Sequence, residues 1–146
     1  MKYVKTCDCC GHLTSAFSHN LNAQIIQALE QLNDFYFRKF KGCNLQKDLN
    51  LTKNQYNNFQ KLQYFNLAVR KEDGWYPTTT GTKFLQGDVT IEAPVATFGK
   101  EILGKWHEAW QTAEKKPHLV HVSQIKNYTW KGRKEYQEEK SKTLFQ

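Results

Sequence analysis

The stretch TKNQYNNFQKLQYFNLAVRKEDGWYPTTTGTKFLQG, residues 52–87, decides how this chain folds. Its first part, 52–66, is rich in side-chain amides and contains no acid. Thr52 and Gln55 have the spacing of a capping box, in which each side chain satisfies the other's backbone N–H. Leu51 and Tyr56 stand at the staple positions on either side of that cap. Tyr56, Phe59, Leu62 and Phe65 recur at helical spacing and mark a buried face, and Asn66 suits a left-handed residue past the helix end. At about 100° per residue, Lys53, Asn57, Gln60, Lys61 and Tyr64 fall opposite that face, with Asn54 beside them. The amides are therefore expected outside the core.

Working outward, NLQKDLNL (44–51) reads as a short helix with Asn44 as its cap and Leu45 and Leu49 turned inward. Residues 19–41 place Leu21, Ile25, Ala28, Leu29, Leu32 and Tyr36 on one helical face, and Gly42 ends the run. Downstream, strand-like residues flank Asp73-Gly74, a hairpin signal, and Thr78 or Thr79 can cap a final helix over TGTKFLQG.

Three helices followed by a β-hairpin, closed by FNLAVRKEDGWYPTTTGTKFLQG (65–87), resemble a winged helix-turn-helix domain of bacterial and phage regulators over about residues 20–98. In that family Gly commonly stands where this chain has Asn66. The resemblance implies a winged helix-turn-helix core at 19–98, and the flanking residues add an N-terminal knuckle-like β-hairpin at 1–18 and a C-terminal extension with a polar helical tail at 99–146, an α+β chain in all. It implies nucleic-acid binding as the commonest use and protein interaction as the other, since fold alone does not set function. Carried onto these residues, the recognition helix is 53–65 and the wing 68–76. Asn and Gln pair bidentately with adenine, and Lys serves guanine or phosphate. Lys53, Asn54, Asn57, Gln60 and Lys61 are then the readers, and Arg70 and Lys71 the phosphate contacts. Tyr64 would stack on a base or anchor a protein partner.

Charge points the same way. The 146 residues carry a formal +7, from 21 Lys and Arg against 14 Asp and Glu, which favours a polyanionic partner. Residues 51–71 hold Lys53, Lys61, Arg70 and Lys71 without an acid, whereas the tail around 131–142 mixes signs as a solvated helix would. No apolar run approaches the roughly 18–20 residues of a membrane span, and MKYVKTCDCC lacks a signal peptide's apolar stretch. The expectation is a cytoplasmic protein with no membrane contact. WHEAW (106–110) stops short of the zincin motif, and no nucleophile elbow, Walker loop or dinucleotide fingerprint is present, so the chain reads as a non-enzyme. Trp106 and Trp110, four apart, are expected to pack back onto a core.

Two strands are expected around CDCCGH (7–12), and further strands at 89–98 and 118–125. Cys7-x2-Cys10-Gly11 has the form of a zinc knuckle, but one knuckle supplies two thiolates and a structural zinc needs four ligands. Cys43 is the most reachable third ligand and His12 the fourth, which makes one structural zinc the candidate cofactor. The other reading is reduced thiols in a turn. His118 and His121, three apart in a strand, would face opposite sides.

Two functions follow. The first is a small basic nucleic-acid-binding protein, for double-stranded DNA, reading with 53–65 and 68–76. The alternative is a winged-helix interaction module, such as a phage factor that binds and inhibits or adapts a host macromolecular complex. Tyr64, the Trp-rich segment and the C-terminal extension favour that alternative.

Overall fold

Asn22 opens the longest helix among the described residues, its side chain accepting from Ile25 N–H at 3.0 Å. This helix, α1 (Ala23–Lys39), buries Ile25, Ile26, Ala28, Leu29, Leu32 and Phe35. Each of the Ile, Leu and Phe side chains contributes roughly 1.5–3 kcal/mol by leaving water. Arg38 and Lys39 sit in the last turn, where cations complement the helix dipole. The helix stops at Phe40, whose φ of 53° is left-handed and whose N–H donates to Tyr36 C=O at 2.8 Å. In this computed structural model the described residues are 4–6, 13–98, 101–104, 110 and 116–130.

The chain divides into two compact units, one comprising 22–91 with 120–146 and the other 1–21 with 92–119. Among the described residues the first is mixed helix and strand and the second mostly strand, and together they give an α+β chain. In the first unit α1 is followed by α2 (Leu45–Asp48), α3 (Lys53–Asn58), α4 (Lys61–Tyr64), a hairpin of β3 (Ala68–Lys71) and β4 (Gly74–Pro77), and α5 (Thr79–Leu85). Asn44 caps α2 as expected, accepting from Gln46 and Lys47 N–H, while Leu45 and Leu49 are only half-buried. Thr78 caps α5, accepting from Gly81 N–H at 2.9 Å. Gly81 must be Gly because an added Cβ would strike the Leu67 carbonyl. Thr82 Oγ1 then donates to the buried Asn33 Oδ1 at 2.8 Å, tying α5 to α1. Phe59, Leu62, Leu67, Phe84 and Leu85 complete the core with α1's apolar face.

The segment 53–65, expected as one helix, is two short ones joined at Phe59 and Gln60. Both residues keep right-handed dihedrals, −57°/−39° and −61°/−20°. The bonds at this waist run from residue i to i−3: Phe59 to Tyr56, Leu62 to Phe59, Gln63 to Gln60. The waist is thus a turn of 3-10 type, advancing about 120° per residue rather than 100°. It rotates α4 relative to α3, and Lys61 and Tyr64 become half-buried rather than opposite the core. The end is a Schellman motif: Leu67 N–H reaches Leu62 C=O and Asn66 N–H reaches Gln63 C=O, both at 3.0 Å, with Asn66 left-handed at φ 58°.

The hairpin turns at Glu72-Asp73, one residue earlier than Asp73-Gly74, because the register pairs Lys71 with Gly74 and Arg70 with Trp75. Gly74 takes φ 134°, open to glycine and strained for other residues. A bridge at Cys43, with backbone bonds to Trp75 of 3.0 Å in both directions, adds a third strand position beside β4.

In the second unit β1 (Val4–Thr6), β2 (Leu13–His19), β6 (Val95–Phe98) and β7 (Glu101–Leu103) form an antiparallel sheet in the order β1-β2-β6-β7. Ala16, Ala96, Leu103 and Trp110 pack on one face. Trp110 is buried as expected, and Trp106 lies outside the described residues. The strand at 95–98 therefore pairs with β2 rather than belonging to a continuous 19–98 unit. β5 (Ile91–Ala93) and β8 (His118–Val120) pair as a separate ribbon. Among the described residues no helix is long and apolar enough to cross a membrane.

Candidate functional site

The amides of 52–66 divide into two groups by what they touch. Gln55, expected outside, is buried. Its Oε1 accepts from Thr52 N–H at 2.9 Å, completing the capping box, and its Nε2 donates to Gln24 C=O at 3.1 Å. A buried amide with both ends bonded costs little, and it takes the inward place expected for Tyr56, which is 44% exposed instead. Asn54 Nδ2 donates to Gln24 Oε1, and Asn58 Nδ2 donates to both Asn54 C=O and Asn54 Oδ1 at 2.8 Å. These amides fasten α3 to the first turn of α1. A parallel clamp holds the preceding turn, where Gln31 donates to Asn50 C=O and accepts from Asn50 N–H.

Asn57 and Gln60 form the second group. Both are exposed, and both line a groove of about 560 Å³ whose opposite wall is the hairpin, with Arg70 and Trp75. Tyr56 stands in the same wall as Asn57, its hydroxyl accepting from Gln46 Nε2 at 3.1 Å. Lys53 is exposed on α3. Glu72 and Asp73 border the groove at the hairpin tip.

Arg70 and Lys71 both border the groove, on opposite faces of the hairpin. Successive strand residues point to opposite faces, and the register puts Arg70 on Trp75's face and Lys71 on the face of Val69 and Tyr76. Accordingly Lys71 Nζ lies 4.9 Å from the centre of the Tyr76 ring. The Tyr76 hydroxyl donates to Asp73 Oδ2, which pushes its pKa up; burial and the Asp73 charge add to this.

Of the expected zinc ligands, Cys7, Cys10 and His12 lie outside the described residues. Cys43 is wholly buried, and burial, with a smaller push from Asp48, raises its thiol to about 12. Zinc takes the thiolate, so Cys43 would have to give up this proton to bind a metal. Among the described residues no group of three or more His, Cys, Asp or Glu could hold an ion. His121 is spent on structure: its Nδ1 accepts from Ser123 N–H, its Nε2 lies 3.1 Å from Gly87 C=O, and its ring meets Trp130 edge-on.

Gln55's inward turn, the waist and the split of Arg70 from Lys71 escaped the sequence reading. The first had a local signal, because a capping-box Gln must fold back toward its cap, and so did the third, because neighbours on a strand alternate faces. No protein-family model, curated protein or solved structure matches the chain.

Proposed function

We propose that the unit containing 22–91 is a winged helix-turn-helix module that binds duplex nucleic acid, DNA in the first instance. The observation that carries this reading is the convergence of Asn57 and Gln60 with Arg70 on one groove. Amides that can read adenine edges stand across from a guanidinium that can hold phosphate. The order helix, bridge at Cys43, short helix, longer helical segment and hairpin supports the fold assignment. Of the expected readers, Asn57, Gln60 and Lys53 keep that role. Asn54 is engaged with Gln24 and Asn58, and Lys61 and Tyr64 are turned partly inward. Arg70 is the phosphate contact on the groove side.

A second reading is a docking module for a macromolecular complex, and one observation favours it. Glu72 and Asp73 border the groove, where a phosphate backbone would meet like charge. Selection from a random duplex pool, followed by titration at several salt concentrations, separates the two. Duplex binding that weakens steeply with salt supports the first reading. Absence of duplex binding at low salt removes it and leaves the groove as a protein-docking surface.

A further inference from the structure

We infer that the C-terminal end of α1, together with the Tyr76 face of the hairpin, is a stacking platform for single-stranded nucleic acid. The residues are Tyr36, Phe37, Phe40 and Tyr76. Tyr36 is the hub: its ring meets Phe37 at 5.5 Å, Phe40 at 5.9 Å and Tyr76 at 5.8 Å between centroids, all edge to face. Phe37 is 46% exposed and Phe40 70% exposed, so large rings are held in a fixed array and left open to water. Phe40 also sits in the left-handed region, where a bulky residue is uncommon and Gly would be easier. The backbone thus accepts strain to end the helix on an exposed ring.

What covers such a surface follows from its charge. Residues 35–42, FYFRKFKG, contain no acid, and Arg38, Lys39 and Lys41 are exposed. Lys71, on the face of the hairpin away from Arg70, brings a further cation over Tyr76. The neighbouring acids are Asp34, Glu72 and Asp73, and Asp73 already accepts from the Tyr76 hydroxyl. Cations interleaved with open rings suit an anionic ligand that also presents flat faces. Unpaired bases do so, each offering a π-face to an aromatic side chain while the backbone meets Lys and Arg. A duplex keeps its base faces stacked inside, so it belongs to the groove lined by Asn57, Gln60 and Arg70. This inference rests on its own residues and not on the duplex reading.

The test is fluorescence anisotropy of the full chain with labelled oligothymidylate and with a duplex of equal length. Phe40→Gly keeps the left-handed backbone while deleting the ring, and Phe40→Trp restores a ring. Wild type should bind oligothymidylate, Phe40→Gly should weaken it about tenfold, and Phe40→Trp should recover it. Phe40→Gly should leave the duplex titration as it is, so loss of the duplex reading and loss of this one are separate results. Wild type that ignores oligothymidylate, or Phe40→Gly that binds it equally well, overturns the proposal. Vesicles of phosphatidylserine and phosphatidylcholine form the second arm. If they capture wild type in a Phe40-dependent manner while oligothymidylate is ignored, the platform is a membrane contact and the proposal fails.

Discussion

The ring of Phe59 meets the ring of Trp75 edge to face, centroids 5.0 Å apart and planes 79° from parallel. Phe59 stands at the waist between α3 and α4, and Trp75 lies opposite Arg70 across the hairpin. One aromatic contact therefore fixes the helical wall of the groove against its hairpin wall. Trp75 is held from its other edge as well, through backbone bonds to Cys43.

Phe59→Ala should cost roughly 3–5 kcal/mol, the range for truncating a core aromatic. Phe59 is 1% exposed, so almost all of its area is lost from the core. Urea unfolding monitored by Trp fluorescence measures this directly. A loss below about 1 kcal/mol would mean that the ring is not packed as described.

Cys43 is expected to behave as a small buried apolar residue. Its folded pKa of about 12 lies above the ordinary 9.0, so the folded state retains a proton that the unfolded chain releases. The thiol's contribution to stability is complete below pH 9.0 and is lost as pH rises toward about 12. In that window stability should fall by up to ~1.4 kcal/mol per pH unit. Other groups titrate there too, so the comparison is with Cys43→Ala, whose alkaline slope should be shallower. Equal slopes would remove the assignment. In native protein at neutral pH, Cys43 should also resist alkylation.

Asn66 offers a test in the stabilising direction. It occupies the left-handed position of the Schellman motif, where Gly carries no Cβ penalty. Asn66→Gly should leave stability equal or raise it by up to about 1 kcal/mol, whereas Asn66→Val should lower it by about 1–2 kcal/mol. A tolerated Val would show that the left-handed end is not required.

These positions also show what the sequence could and could not disclose. The capping box at Thr52 and Gln55, the caps at Asn44 and Thr78, and Asn66 all act within a few residues, so their spacing carries the information. The buried face Phe59, Leu62 and Phe65 follows from helical period for the same reason. The pairing of Ala16 with Phe98 joins residues far apart in the chain, and nothing local specifies it. The same limit hid the clamp of Gln24 on Asn54 and Gln55, which turned surface amides into structural ones.

The final prediction separates the amides by role. If the groove takes duplex DNA, Asn57→Ala and Gln60→Ala delete contacts to base edges. Affinity for the selected sequence should then fall by about 1–3 kcal/mol, while binding to random duplex persists. Arg70→Gln should weaken all duplexes alike and reduce the slope of log affinity against log salt by about one unit. Lys71→Gln should change that slope less, because Lys71 borders the groove with its Nζ held over the Tyr76 ring. Asn54→Ala should act on the fold instead, lowering the melting temperature through the lost bond to Gln24 with little change in sequence preference once folded. Gel-shift titrations on all five variants, with melting curves alongside, distinguish these patterns. Equal loss from Asn54 and Asn57 in binding, with no loss of stability from Asn54, would show that the amides form one reading face and that the clamp to α1 is not what holds Asn54.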